Sequence, residues 1–228
     1  HENSSAASDV YKRQEKKQRF SNPEIKVGII KLPSISNFSD FDPLENEKSL
    51  LIEWIRESQN LKKYDFIILP GSKQTIKDQI YLENSGLSQD IREYSNSNGN
   101  IVGICGGLQM LGTILEDPYS KEGSKNYSEQ KTKGIGLLPL KTIFLEKKIT
   151  RQINSESLWP CQTKINGFEI HNGKTILDKT QNTLDIKPIF HDLDLGWYKE
   201  NNGGGTIAGT YIHGLSLIHI SEPTRPGH

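Results

Sequence analysis

The residue best suited to covalent chemistry is Cys105, in the stretch Asn100-Ile-Val-Gly-Ile-Cys-Gly-Gly-Leu-Gln-Met-Leu-Gly112. Ile101 to Ile104 is a short β-branched apolar run that predicts a buried strand. Leu108, Met110, Leu111 and Ile114 to Leu115 follow at helical spacing, which places the thiol between strand and helix. Gly103 precedes it closely, and Gly106 and Gly107 follow directly. A side chain at the tip of a sharp strand-to-helix turn is crowded, and neighbours without a Cβ relieve the crowding. That is the physics of a nucleophile elbow, here carrying Cys in place of Ser. Helix N–H groups and the positive end of the dipole favour thiolate, the reactive form. The competing reading is a small cysteine buried in a βα turn.

A thiolate attacking an acyl carbon needs donors for the oxyanion and a proton carrier for the leaving group. Gly71, in Ile-Leu-Pro-Gly-Ser, closes a strand at the same sheet edge, and its N–H with that of Gly106 could supply the donors. Gly71-Ser-Lys-Gln-Thr75 superficially resembles a phosphate loop but lacks the Gly-x-x-x-x-Gly-Lys-Ser/Thr spacing. The proton carrier is a histidine's role. His213 ends an apolar strand and precedes Gly214. His171 lies in Gly167-Phe-Glu-Ile-His-Asn-Gly173, where strand alternation puts Glu169 and His171 on one face. His191 reads as a loop histidine. Spacing alone leaves His171 and His213 both open.

The elements that must position these groups alternate. Ile25 to Leu32 predicts a buried strand, 33 to 43 a polar loop long enough to cover a site, and Leu44 to Ser58 a helix with Leu50, Leu51, Trp54 and Ile55 on one face. Asp65 to Leu69 is a second buried strand, followed by helical segments over Ser72 to Leu82 and Leu87 to Ser95, then the strand before Cys105. Such alternation predicts α/β architecture: three layers, a mainly parallel sheet with flanking helices. Ligands in such sheets bind beyond the carboxyl ends of the strands, where Gly71 and Cys105 both fall. After Asp117-Pro118 the character changes to a hydrophilic loop (Tyr119 to Lys133) and a β-rich C-terminal part. Strands are expected at Lys141 to Phe144, Gln162 to Ile176, Leu195 to Lys199 and Thr206 to Ile212, with a turn at Asn201 to Gly205.

The 228 residues carry 28 Lys+Arg against 28 Asp+Glu, so no field favours nucleic acid or an anionic membrane surface. No apolar run is long enough to span a bilayer. Two distant cysteines, Cys105 and Cys161, argue against a disulfide scaffold and fit a reducing cytoplasm. Residues 1–22 and 216–228 are polar or Pro-rich and resemble translated adaptor sequence, so both are expected to be non-native tails around a domain spanning 23–215. His1, His219 and His228 leave the argument with them.

Five stretches, in order, carry a family resemblance: Ile-Ser-Asn-Phe-Ser-Asp-Phe-Asp-Pro-Leu (Ile35 to Leu44), Ile-Leu-Pro-Gly-Ser-Lys-Gln-Thr-Ile (Ile68 to Ile76), Gly-Ile-Cys-Gly-Gly-Leu-Gln-Met-Leu-Gly (Gly103 to Gly112), Gly167 to Gly173, and Gly-Thr-Tyr-Ile-His-Gly (Gly209 to Gly214). Over about Ile25 to Leu215 the chain resembles the glutamine amidotransferase domain of cobyric acid synthase, a flavodoxin-like glutaminase. The resemblance implies Cys105 as nucleophile, His213 as catalytic histidine, Gly71 and Gly106 as oxyanion donors, and Gln109 in the glutamine pocket. Many related glutaminases orient the histidine with a Glu two residues later. Leu215 stands there, and the family this chain resembles also lacks that Glu, which leaves Glu169 as the substitute to consider; Glu169 and His171 are otherwise expected to border the substrate. The implied reaction is hydrolysis of L-glutamine, with ammonia passed to an N-terminal synthetase domain that amidates a corrinoid. No cofactor or metal is expected in this chain, and ATP and Mg2+ belong to the synthetase domain. The alternatives are the glutaminase half of a related amidoligase, or a non-catalytic gating subunit.

Overall fold

A computed structural model of the chain describes residues 25–122 and 130–214; the tails expected at 1–22 and 216–228, and Leu215, lie outside the described residues. The first sheet builds on the apolar runs read above. Its strands are β1 (Ile25–Ile30), β2 (Leu50–Ile55), β3 (Phe66–Leu69), β4 (Asn100–Ile104), β9 (Ile186–Pro188), β10 (Gly196–Glu200) and β11 (Thr206–Thr210), in the order β2-β1-β3-β4-β11-β10-β9. From β2 to β11 the strands are parallel; β10 and β9 close the edge antiparallel. Ile29, Ile67, Leu69 and Ile101 are completely buried. Side chains of this kind each stabilise by about 1.5–3 kcal/mol on leaving water. Helices α2 (Thr75–Asn84) and α3 (Leu87–Asn96) lie between β3 and β4 in the chain, as the periodicity predicts.

The second sheet contains β5 (Ile114–Glu116), β6 (Lys131–Lys133), β7 (Leu140–Ser157), β8 (Thr163–Leu177) and β12 (Ile212–His213), ordered β12-β8-β7-β5-β6. The β7–β8 hairpin dominates it, pairing Leu140 with Leu177 at one end and Ser157 with Thr163 at the other. A small apolar cluster of Ile153, Ile189, Phe190, Leu195, Ala208 and Ile212 packs this sheet onto the first. Among the described residues no helix is long and apolar enough to cross a membrane.

Two expected helices are corrected. Residues 44–58 form only α1 (Asp42–Asn46), and the apolar residues beyond it become β2, parallel to β1 from Ile25↔Leu50 to Ile30↔Ile55. Leu50, Leu51, Trp54 and Ile55 satisfy helical spacing, but a six-residue apolar run is as long as a strand, and the open edge of β1 supplies the hydrogen-bond partners that decide. The helix after Cys105 is also shorter than expected. It is α4 (Gly106–Leu111), with Gly112 extended, and Ile114 and Leu115 enter β5, which pairs with β6 and β7. The Thr113 N–H donates to the Leu140 carbonyl at 2.7 Å, so sheet bonds replace the next helical turn.

The loop after β1 is fastened rather than free. Ser36 N–H donates to the Gly71 carbonyl and Lys73 N–H to the Ser34 carbonyl, at 3.0 and 2.8 Å. Beneath them the buried Asp78 carboxylate accepts from the Ser72 hydroxyl at 2.6 Å and from the Ser34 N–H. A second buried carboxylate, Glu122, accepts the Thr75 N–H at the start of α2, at 2.5 Å. Burial, with Asp117 and Asp78 nearby, outweighs that hydrogen bond and pushes Glu122 up to about 7.

This shift fixes a pH dependence. Between the ordinary carboxylate range and pH 7 the folded state holds a proton on Glu122 that the unfolded chain has lost, so stability falls as pH rises through that window. Glu122→Gln keeps an acceptor for Thr75 without the charge. Thermal unfolding should therefore show the variant more stable than the parent by roughly 1–3 kcal/mol at pH 8, with the gain vanishing near pH 4.5. An equal shift at both pH values would contradict the assignment.

Candidate active site

The site lies where the chain passes from one sheet to the other. β11 ends at Thr210 in the first sheet, Tyr211 is buried, and β12 begins at Ile212 in the second. Cys105 is tied to this crossing: its N–H donates to the Thr210 carbonyl at 2.8 Å. The cysteine has φ +51° and ψ −109°, a conformation that L-residues rarely adopt. Strain of this kind costs about 1–3 kcal/mol and persists only where the surroundings impose it. The glycines the elbow needs are visible in the packing. A Cβ on Gly107 would lie 2.7 Å from the Leu69 carbonyl carbon and 2.9 Å from the Pro70 oxygen, and one on Gly103 only 2.7 Å from Leu108 N.

The expected oxyanion glycines lie beside the cysteine. A Cβ on Gly106 would sit 2.8 Å from the Ser72 nitrogen, and one on Gly71 3.7 Å from the Cys105 Cβ. The hydroxyl of Ser36 presses on Gly71 and is itself buried without a hydrogen-bond partner among the described residues. The thiol lies within reach of the Ile170 carbonyl, at 3.4 Å.

Of the histidines, His213 meets the thiol. Its imidazole lies close enough to Cys105 for the sulfur to act on its charge, and its Nδ1 lies 2.9 Å from Asp40 Oδ2. Burial alone would lower its pKa, but the Asp40 carboxylate and the Cys105 sulfur override that and push it up to about 10. Asp40 belongs to a 3-10 turn (Phe38–Phe41) in the loop after β1, the stretch predicted to cover the site. Glu169 does not hold His213. Its carboxylate is committed to Arg151 Nε on one oxygen and to His171 Nε2, at 2.8 Å, on the other. The ladder explains this: Glu169 faces Ile212, and His213 faces Phe168, so Glu169 and His213 point to opposite faces of the sheet.

Glu169 and His171 do share one face of β8, as the alternation predicts, and both are buried. The His171 ring stacks on Tyr211 with centroids 3.6 Å apart and 14° between planes. Its Nδ1 is buried with no hydrogen-bond partner among the described residues. The Tyr211 hydroxyl accepts from Gln109 Nε2 at 3.1 Å and also meets Thr175. Gln109 Nε2 donates as well to the Asn172 carbonyl at 2.9 Å, and its Oε1 accepts from the Thr75 hydroxyl at 3.4 Å. Gln109 is thus a strut joining α4, α2 and β8 under the thiol. His191 lies apart, exposed beside Glu156, and Cys161 is exposed.

Sequence reasoning missed Asp40, Tyr211 and Asp78. The first two lie inside stretches that carry the family resemblance, Ile35 to Leu44 and Gly209 to Gly214. That location was the available signal.

The strained elbow yields a test. Replacing Cys105 by Ala keeps an L-residue at positive φ, whereas Gly relaxes it, so Cys105→Gly should be more stable than Cys105→Ala by about 1 kcal/mol in denaturant unfolding. The reverse order, ordinary for a residue beside a helix, would mean that the elbow is unstrained.

Comparison with known proteins places this geometry in a family. Residues 26–219 match the CobB/CobQ-like glutamine amidotransferase domain. Cobyric acid synthase of Prochlorococcus marinus strain MIT 9301 is 80% identical over 201 residues, covering 88% of this chain and 40% of that protein. The cobyric acid synthase of strain NATL2A is 45% identical over a similar span. The chain therefore spans about two fifths of the length of these curated relatives. Among solved structures, PurLQS from Thermotoga maritima superposes with a TM-score of 0.59 at 15% identity, over 83% of this chain and 87% of the other. A second, a glutamine amidotransferase, superposes with a TM-score of 0.57 at 13% identity, over 82% and 89%. At those identities they bear on the fold alone, and it is the family match and the high-identity relatives that establish membership: the chain belongs to the CobB/CobQ-like glutamine amidotransferase domain family.

Proposed function

We propose that this chain hydrolyses L-glutamine to glutamate and ammonia through a thioester on Cys105, as the glutaminase part of a cobyric acid synthase. The observation that carries the reading is the His213 imidazole held between the Cys105 sulfur and the Asp40 carboxylate at the exit of β4. With the proton resting on the imidazole, the sulfur is the nucleophile and the imidazolium the first acid.

The steps balance as follows. The sulfur adds to the side-chain carboxamide carbon, and the Gly71 and Gly106 N–H groups take the developing oxyanion. One donor of this kind is worth about 10²–10³ in rate. His213 gives its proton to the departing nitrogen, the C–N bond breaks and ammonia leaves. The now neutral His213 takes a proton from water, the resulting hydroxide adds to the thioester, and the C–S bond breaks. Glutamate is released and the sulfur–imidazolium pair returns.

Gln109, Glu169 and His171 are assigned to the glutamine pocket. Because the Glu169 carboxylate can only accept, it holds the His171 proton on Nε2 and leaves the buried Nδ1 as an acceptor for a substrate N–H. The ammonia would serve the remaining part of the longer enzyme, where ATP and Mg2+ would activate carboxylates of cobyrinic acid a,c-diamide. The shared name of the relatives supports that destination.

Ammonia release from glutamine tests the reading directly. Cys105→Ser should abolish it and Cys161→Ser should leave it unchanged, since Cys161 is exposed and remote from the cluster. His171→Asn should raise KM for glutamine roughly tenfold, the order expected for one lost hydrogen bond. Turnover surviving in Cys105→Ser would refute the nucleophile, and parent kinetics in His171→Asn would remove that residue from the pocket.

A further inference from the structure

We propose that Asp40 is the positioning residue of the reaction: its carboxylate fixes the tautomer and orientation of His213 from a loop 173 residues upstream in the chain. The inference rests on the glutaminase reading above and assigns the orienting group that reading leaves open. Four observations support it.

The first is the contact itself. His213 Nδ1 and Asp40 Oδ2 are 2.9 Å apart, and a carboxylate oxygen only accepts, so the Nδ1 proton is held and Nε2 is presented on the sulfur side. The second is that Asp40 is fixed in turn. Its other oxygen, Oδ1, accepts from Asn37 Nδ2 at 2.7 Å, and Asn37 Oδ1 accepts from the Ser39 hydroxyl at 2.7 Å. A carboxylate with both oxygens engaged has one rotamer to offer. The turn that carries it is anchored by Phe41, buried and edge-on to Trp54 at 5.5 Å.

The third observation is burial. The two side chains are 13% and 11% exposed, so the pair works largely out of water and is weakly screened. The fourth is elimination. Glu169 is spent on Arg151 and His171, and the buried Asp78 on Ser34 and Ser72. The charged or titratable groups acting on His213 are Asp40, from the 3-10 turn, and Cys105, from the elbow; its ladder neighbour on β8 is Phe168, which carries no charge.

The test measures glutamine hydrolysis by the intact protein, with Asp40→Asn, Asp40→Glu, His213→Asn and the Asp40→Asn/His213→Asn double variant. Losing a carboxylate that holds a catalytic imidazole in its tautomer lowers turnover by up to about 10⁴-fold with the geometry intact. Asp40→Asn should accordingly lower kcat by about 10²–10⁴-fold while KM for glutamine stays within about threefold and the unfolding temperature holds. Asp40→Glu should recover part of the rate. In the double variant Asp40→Asn should add little to His213→Asn, because it acts through that ring. NMR titration should show the His213 imidazole losing its proton at lower pH in Asp40→Asn than in the parent. A merely structural residue would not move that titration.

Asp42→Asn, at an exposed carboxylate in the first turn of α1, is the control and should run at the parent rate. If Asp40→Asn does not fold, Asn37→Ala carries the same test, because it frees Asp40 Oδ1 without touching the imidazole and should cost about tenfold in kcat. Asp40→Asn turnover within threefold of the parent, an unmoved His213 titration, or a full additive loss in the double variant overturns the proposal and leaves the glutaminase reading standing. No glutamine hydrolysis by the parent, or turnover surviving in Cys105→Ser, overturns that reading, and the positioning role falls with it.

Discussion

Much of the molecule hangs on one hydrogen bond, from the Cys105 N–H to the Thr210 carbonyl. It joins the strained elbow to the point where the chain leaves the first sheet for the second. With that bond holding the Cys105 N–H, a change of φ at Cys105 would have to re-aim α4, and a buried backbone group left unpaired costs roughly 1–3 kcal/mol, comparable with the strain it would relieve. The same crossing puts Tyr211 in the interior and His213 one residue into the second sheet. Cys105 and His213, 108 positions apart in the numbering of the chain, are therefore brought together by a strand register, β4 against β11, rather than by a flexible loop.

The other side of the site depends on a different kind of fastening. The loop after β1 buries Ile35 and Phe41 in the core, and hydrogen bonds fix the register of its polar residues. Asp78 provides them from below, accepting from both Ser34 and Ser72, and the Ser36–Gly71 and Lys73–Ser34 pairs complete the seam. Burial raises the pKa of Asp78, against its hydrogen bonds. A desolvated carboxylate is a poor stabiliser by itself. Its value lies in register: it holds Gly71 and the turn bearing Asp40 on either side of Cys105, which apolar packing, being non-directional, would do less sharply.

How legible this was in the sequence follows from where the physics is local. The elbow could be read because crowding at Cys105 demands glycines within three positions of it. β3 and β4 could be read because a fully buried parallel strand is a near-continuous apolar run. Leu50 to Ile55 misled because six residues are too few to separate the two periods, and the free edge of β1 settled the matter. The polar second half of β7 gave no periodic signal because its partner β8 supplies the hydrogen bonds whatever its side chains are. Asp40 was unreadable by spacing for a similar reason. One aspartate among Ser, Asn and Asp in a loop looks like any turn residue until the fold sets it against a histidine far down the chain.

The electrostatics of His213 order the steps of the proposed cycle. Burial favours the neutral ring, while the Asp40 carboxylate and the Cys105 sulfur favour the charged one, and their sum lifts the pKa to about 10. At neutral pH the ring thus starts protonated, ready to act on the leaving nitrogen before it acts on water. Once the sulfur is acylated it can no longer hold negative charge. Its share of the stabilisation of the imidazolium disappears, while burial and Asp40 remain. The ring's affinity for a proton therefore falls at the stage when it must accept one from the attacking water. Hydrolysis of the thioester frees the sulfur again, and with it restores the acid. On this account Asp40 supplies the constant part of the field and Cys105 the part that changes. The switch from acid to base then needs no movement of the histidine.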